Sequence, residues 1–444
     1  MWPLFLLFAA VPLAVDFNQE LPYEPIKILL IEAGAVVGIA TAFTIAFTRR
    51  KQGIVRRLGA SLNVIDWALV VWLVVLALST FFSVDPYASF WGSAERGTGF
   101  VYYWCLTAIY FVIRFVAESR DWRLFLRLTC AVASLVSAYG ILQWLGIDAS
   151  ALKHAFRLYG RSGPTRAFST FGHPNFLGVY LALWLPFAWF LWRNEKRKSY
   201  RALAAVSAVM SALALAMTYS RGAWFGAIAG GAVLSAFRLN RSGHWCWRIP
   251  IGMCCAAAVI VCLIFWQAPR LESSANSFAF RLGSSFDFSK GSTLARTAEW
   301  KYALRLMPAH PFLGYGLDTY IRYAGQRIKD PAERNRDFSV ADPSLADRLH
   351  NFILDILWSS GLAGLLALVT VLGAIFLRIR KLFIQNTESR LWVTVLCSSL
   401  TAYLVCNLTG FDFSVSGLWF FIILAGIASA EVIVDPLVKN EPPG

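Results

Sequence analysis

The sequence predicts an all-α polytopic membrane protein, and three observations carry that prediction. Hydrophobic residues make up 57% of the 444, charged residues only 15%, and there are 34 Phe and 18 Trp; a soluble protein carries roughly 25% charge. Apolar runs of membrane-crossing length recur along most of the chain. The net charge of +15 sits mostly in short loops between those runs, a pattern that orients membrane helices and argues against nucleic-acid binding.

Measured against the ~20 residues that a helix needs to cross hydrocarbon, the runs give about twelve spans. They are Trp2 to Val15, Ile26 to Thr48, Val64 to Phe82, Phe100 to Val116, Leu124 to Leu145, Asn175 to Trp192, Ala202 to Thr218, Gly222 to Phe237, Pro250 to Ala268, Asn351 to Leu377, Leu391 to Thr409 and Val415 to Val434. The first is short and holds Pro3 and Pro12; no Lys or Arg precedes it, so it reads as a retained helix rather than a cleaved signal peptide. The chain thus divides into a bundle of spans 1–9 over residues 1–268, one long external loop subdomain between spans 9 and 10 over 269–349, spans 10–12 over 350–434, and a tail over 435–444.

Alternation of the spans puts Arg49-Arg50-Lys51, Lys196-Arg197-Lys198, Arg238 with Arg241 and Arg248, and Arg378 with Arg380-Lys381 on one side. By the positive-inside rule that side is the cytoplasm, and both termini lie there. The other side receives the loops 16–25, 83–99 and 146–174, the Tyr219-Ser220-Arg221 turn and the stretch from Pro269 to Leu349. Cys105, Cys130, Cys254, Cys255, Cys262, Cys397 and Cys406 fall in spans and Cys246 on the cytoplasmic side, so no disulfide framework or zinc spacing is expected outside. No P-loop or GxGxxG element is present, which gives no support to a nucleotide-driven mechanism. No cofactor and no metal are expected.

Within the long external segment, residues 293–307 have helical period, with Trp300, Leu304 and Met307 expected on one face. Pro308 ends that helix. A turn-rich loop over 310–316 follows, then a charged stretch, 330–348, that reads as a flap over the membrane face. The segment has too few apolar residues for a large core of its own and is expected to pack on the bundle. After it, Arg348-Leu349-His350-Asn351-Phe352 runs directly into an apolar helix, which puts a titratable imidazole at a membrane surface, where a water-borne and a lipid-borne substrate can meet.

Several pieces now stand in order: Phe171-Gly172-His173-Pro174-Asn175 at the entry to a span, the turn Tyr219-Ser220-Arg221-Gly222, Arg296-Thr297-Ala298-Glu299-Trp300, Pro311-Phe312-Leu313-Gly314-Tyr315-Gly316, and His350-Asn351 followed by Gly361 and Gly364. Together they resemble the O-antigen ligase and O-antigen polymerase superfamily. The likeness runs from about Asp85 to Gly364, and the His-Asn pair with its two glycines is its most specific part. The resemblance implies a membrane glycosyltransferase of the bacterial cytoplasmic membrane that takes a glycan from undecaprenyl diphosphate on the periplasmic face. It also implies His350 as general base and Arg221 and Arg296 as ligands of the donor diphosphate.

The residue chemistry is compatible with that implication. A sugar on a lipid diphosphate carries its own leaving group, so transfer needs a base for the acceptor hydroxyl and positive charge for the departing diphosphate. An imidazole, titrating near pH ~6.5 when unperturbed, suits the first task, and guanidinium groups suit the second because their donors match phosphate oxygens in pairs. Arg161 and Arg166 join the candidate cations by location. Asn351, Asn175, Gly314 and Gly316 are candidate supporting residues, and His173 is expected to cap a helix.

Blander roles stand beside these. His350 can be an interfacial hydrogen-bonding group, Arg221 a headgroup anchor, and Arg296 a solvated helix charge. Gly222, Gly226 and Gly230 form a small-residue ridge for helix packing, Gly361 and Gly364 are expected to do the same, and Tyr102-Tyr103-Trp104 read as an interfacial belt. Glu32 lies inside a span with no partner to name. The leading functional reading is a ligase whose partners are the lipid-linked glycan donor, membrane lipids and an acceptor such as lipid A-core or another glycan. A polymerase or a protein O-oligosaccharyltransferase is the rival within the enzyme class. A small-anion (bicarbonate-type) transporter is the rival from another class, but it leaves His350 and the long loop idle.

Overall fold

The computed structural model describes residues 2–16, 23–48, 62–94, 96–147, 166–239, 291–323, 348–385 and 389–431. Every regular element among them is helical: α1 (Trp2–Ala10), α2 (Glu24–Thr48), α3 (Val64–Phe81), α4 (Pro86–Trp91), α5 (Phe100–Val116), α6 (Ser119–Trp144), α7 (Pro174–Asn194), α8 (Lys198–Met217), α9 (Arg221–Leu239), α10 (Gly291–Leu306), α11 (Phe352–Gln385), α12 (Arg390–Leu408) and α13 (Ser414–Ser429). Among the described residues seven helices are long and apolar enough to cross a membrane: α2, α3, α6, α7, α8, α11 and α12. Pro3–Leu13, α5 and α13 are shorter apolar helices, and α9 stands where the eighth span is expected. The expected ninth span, the flap over 330–347 and Arg161 lie outside the described residues.

The helices begin and end where local chemistry dictates. Asn63 caps α3, its side chain accepting from the amides of Ile65 (2.9 Å) and Asp66 (3.1 Å) while Asp66 accepts from the Asn63 amide (2.7 Å); such a box satisfies donors that a helix start leaves open. His173 caps α7 through its Nδ1, which accepts from the Asn175 amide at 3.1 Å, the role expected of it.

At the centre of the bundle α13 is buried along its whole length, and Trp419 on it packs against Phe125, Trp184 and Phe187. The glycine ridge on α9 lies on α12. A side chain at Gly222 would overlap Thr409, one at Gly226 would overlap Cys406, and one at Gly230 would lie 2.7 Å from the Ser398 carbonyl oxygen. Ser398 closes the contact by donating to the Gly230 carbonyl at 2.6 Å. Such packing follows from small residues letting two backbones approach where lipid offers no hydrophobic drive for association.

One end of the bundle is held by ion pairs, each with at least one partner buried. Tyr110 donates to Asp66 at 2.5 Å, with Arg114 beyond it at 3.5 Å. Arg378 meets Glu431 at 2.7 Å, and Arg127 forms a paired contact with Glu195, both bonds 2.9 Å. The opposite end carries the candidate site residues.

Tyr102 departs from the interfacial belt expected of it. It is fully buried and donates to the Ser414 carbonyl at 3.1 Å, because its face of α5 turns toward α13; Trp104, in contrast, is exposed. The exposed face of α10 also differs from expectation. Leu304 points outward, while Tyr302, Ala303 and Met307 are buried with Tyr315, Tyr320, Leu349 and Trp358 in a small second core. The stacked rings of Tyr315 and Trp358, 4.2 Å apart, tie that core to α11, so the helix is oriented by the aromatic side chains of the bundle rather than by its own Leu304.

Candidate active site

The site is built on a buried cation. Arg348 donates to Asp318 at 2.8 Å, to Asp355 at 3.0 Å and to the hydroxyl of Thr98. Asp318 in turn accepts from the amides of Ser93 (2.7 Å) and Thr98 (3.2 Å). Burial opposes a charge here, but the two flanking carboxylates outweigh it and raise the guanidinium's hold on its proton. One side chain therefore joins three segments: the α4–α5 loop, the 316–319 turn and the start of α11. A buried charge paired twice and hydrogen-bonded is retained, whereas removing one partner costs several kcal/mol.

His350 lies two residues beyond this clamp. Its backbone is left-handed, φ +50°, a conformation uncommon for a residue with a β-carbon and one that persists only where the surroundings enforce it. The surroundings are Arg348 on one side and the first turn of α11 on the other, where Asn351 caps the helix by accepting from the amides of Ile353 and Leu354, each at 3.1 Å. The imidazole Nδ1 lies 2.9 Å from the Arg348 carbonyl oxygen, and the ring meets Phe411 edge-on with centroids 5.0 Å apart. A hydrogen bond from Nδ1 to that carbonyl fixes the tautomer that leaves Nε2 as proton acceptor.

α10 brings the arginines to this place. Trp300 donates from its indole to the Leu349 carbonyl at 2.6 Å, which pins the helix beside His350. Arg296, one turn earlier on the same face, donates to the carbonyl of Thr409 at 3.0 Å. Arg221, the first residue of α9, is close enough that its charge, added to burial, lowers the proton affinity of Arg296, with Glu299 offsetting in part. Two like charges held together are a cost in the absence of an anion and an asset in its presence.

The turn that carries Arg221 is braced by Arg166. Its guanidinium donates to the Thr218 carbonyl at 2.8 Å, to Asn175 Oδ1 at 3.2 Å and to the Tyr219 carbonyl at 3.4 Å. Two of its nitrogens thus hold the backbone of that turn, and Asn175 accepts from the same guanidinium.

Gly361 and Gly364 require a correction. They are not a second packing ridge. Gly361 has φ +62° and ψ −159° and interrupts α11; the loop 311–316 docks backbone to backbone against the break. Leu362 and Ala363 donate to the carbonyls of Pro311 (2.9 Å) and Phe312 (3.0 Å), while Tyr315 and Gly316 donate to those of Trp358 (2.7 Å) and Ser359 (3.0 Å). Gly364 faces Ser360 of its own helix. Gly314, at φ +70°, lies against the Trp358 carbonyl and Gly361 and so lets this loop into the helix break, whereas Gly316, at φ +102°, lies against Ser83 and Ser89.

Residues 206–369 match the O-antigen ligase family model. The matched segment holds Arg221, Arg296, His350, Asn351, Gly361 and Gly364, the part of the chain on which the sequence resemblance is most specific, and the match supports membrane glycan processing of the ligase or polymerase type. No curated protein matches the chain.

Two residues outside the matched segment lie beside these groups, and sequence reasoning missed them. Arg96 lies over both Phe176 and Phe411, 5.1 Å from each ring. Asp412 is half-buried; its loss of solvation raises its carboxyl to about 6, against hydrogen bonds from Ser416 and Tyr403 and the charge of Arg348. An acidic residue in the short turn between α12 and α13, and Asp355 inside an apolar run, were the available signals, because ionisable groups at membrane depth are expensive. Among the described residues no three His, Cys, Asp or Glu side chains are grouped to hold a metal ion.

Proposed function

We propose that the protein transfers a glycan from undecaprenyl diphosphate to an acceptor hydroxyl, such as one on lipid A-core, at the periplasmic face of the cytoplasmic membrane. The observation that carries the reading is the bond from Arg296 to the Thr409 carbonyl, two residues from the Phe411 ring on which His350 packs, with Gly222 facing Thr409 and the charge of the adjacent Arg221 bearing on Arg296. His350 takes the acceptor proton at Nε2 as the acceptor oxygen bonds to the anomeric carbon. The bond from that carbon to the diphosphate oxygen breaks, and the departing anion keeps the electron pair under the charge of Arg221 and Arg296. Positioned cations at a leaving group do their work without reorganising, so the rigid brace of Arg166 on the Arg221 turn and of Trp300 on α10 is part of the mechanism.

The test is transfer from purified undecaprenyl-diphosphate glycan to lipid A-core by wild type, His350→Ala and His350→Asn. Both variants should insert normally and lose transfer by ~100-fold or more. The wild-type rate should fall in acid, since only the neutral ring accepts a proton. A His350→Asn protein working at near wild-type rate with a flat pH profile would make the histidine structural.

A further inference from the structure

We infer that Arg96 is an acceptor-side residue: its guanidinium holds an oxyanion or a pair of vicinal hydroxyls on the acceptor glycan, while Arg221 and Arg296 hold the donor diphosphate. The inference rests on the transfer reading above and adds a division of labour among the cations. Arg96 lies outside the matched O-antigen ligase domain, in the loop between α4 and α5.

That loop is built to a fixed shape. Gly92 and Gly97 adopt positive φ, +91° and +60°. Asp318 grips the loop at the amides of Ser93 and Thr98, and Ser93 accepts from the Arg96 amide at 3.3 Å. The Arg348 clamp that sets His350 therefore also sets Arg96, since both depend on Asp318. The side chain is half-buried and extends over Phe176 and Phe411, and the same Phe411 bears the ring of His350. A guanidinium resting against aromatic rings keeps its N–H rim for hydrogen bonding, a planar fork that matches carboxylate, phosphate or adjacent hydroxyl oxygens in pairs.

Direction follows from the reaction. A single displacement at the anomeric carbon puts nucleophile and leaving group on opposite sides of that carbon. The base belongs with the nucleophile, and Arg96 shares a ring with the base. The charge that bears on Arg296 is that of Arg221, so the diphosphate cations form their own pair. Arg96 stands with His350, on the side from which the acceptor approaches.

The experiment uses the full-length protein in nanodiscs, with undecaprenyl-diphosphate glycan as donor and purified lipid A-core as acceptor. Initial rates are measured at varied acceptor with saturating donor, and donor affinity is measured separately for wild type, Arg96→Gln and Arg96→Lys. Arg96→Gln should raise the acceptor KM at least 10-fold and leave donor affinity within twofold of wild type. Arg96→Lys should fall between, having the charge without the paired donors. Retained donor affinity reports that the variants are folded, and Phe411→Leu, which removes the shared ring, should shift acceptor KM in the same direction. Loss of donor affinity at unchanged acceptor KM would overturn the inference by placing Arg96 with the diphosphate, and unchanged values of both would overturn it by making Arg96 a loop brace. If His350→Ala transfers as well as wild type, the transfer reading itself has failed, whatever Arg96 does.

Discussion

Replacing Gly361 by Ala tests whether the break in α11 is a requirement or an accident. At φ +62° and ψ −159° the backbone is in a region essentially restricted to glycine, where a side chain costs about 1–3 kcal/mol. The added carbon would also overlap the carbonyl group of Phe312 and lie 2.7 Å from the Gly314 amide. These are backbone atoms of a docked loop, so the clash is relieved only by moving the loop away. That movement breaks the bonds from Leu362 to Pro311 and from Ala363 to Phe312, at roughly 0.5–1.5 kcal/mol each. The expected loss is about 3–5 kcal/mol. Gly373 is the internal control, because it lies on the same helix, in open space, with nothing within 4 Å of an added carbon; Gly373→Ala should be neutral or gain up to ~1 kcal/mol in helix propensity. Thermal unfolding of both variants in one detergent reads the difference, with Gly361→Ala lower by roughly 5 °C or more. Transfer activity should fall with it, because Trp358 and Ser359, which anchor the loop, belong to the half-helix that starts at His350. Equal melting of the two variants would refute the account of the break.

Replacing Arg221 or Arg296 by Ala should cut glycan transfer ~100-fold or more, with Lys rescuing only partly for want of paired donors; full activity in a normally inserted Arg221→Ala protein removes it from the diphosphate site. Asp412 gives a stability prediction whose sign is fixed by burial: its carboxyl is raised from the ordinary 3.8 to about 6, so folding favours the protonated form, and stability is lost as pH rises through that value. The loss amounts to up to about 3 kcal/mol, and Asp412→Asn should melt higher than wild type at pH 7 with the gap closing toward pH 4; a gap independent of pH would count against the shift. A reporter fused after Lys198 should read cytoplasmic and one fused near Asp330 periplasmic, and a cytoplasmic Asp330 would place the proposed site on the wrong side.

The spans were legible because their signal is local. Runs such as 64–81 and 390–408 bury apolar side chains whatever surrounds them, and their boundaries fall at Asn63 and near Thr409, where capping and turn residues change the chemistry. The motifs around Arg221 and His350 were legible for a related reason, since each is a polar residue at the end of an apolar run, while Arg296 was legible only from the sequence resemblance. What was not legible depends on contacts across long stretches of chain. Gly361 reads in sequence as one more small residue in a membrane helix, and only the docked 311–316 loop shows it to be a break. Leu304 and Met307 follow a helical period, yet the buried face of α10 is decided by where Trp358 and Tyr315 stack. Arg166 looked like Arg221 to any argument from location, and only its bonds to Thr218 and Asn175 show that it braces the turn.

These distant contacts also explain why the polar end of the bundle can be rigid while the proposed catalytic groups come from separate segments. Arg348 links the α4–α5 loop to α11 through Asp318, Thr98 and Asp355; Trp300 links α10 to Leu349; Arg166 links the α8–α9 turn to the start of α7. Each link is a buried or half-buried polar side chain meeting a backbone carbonyl or a carboxylate, so each has a defined length and direction that apolar packing does not supply. Groups that must meet one anomeric carbon need placement to within a fraction of an ångström. A chain that draws them from separate loops meets that need by joining the loops directly to one another, near the ends of helices that the membrane already holds in register.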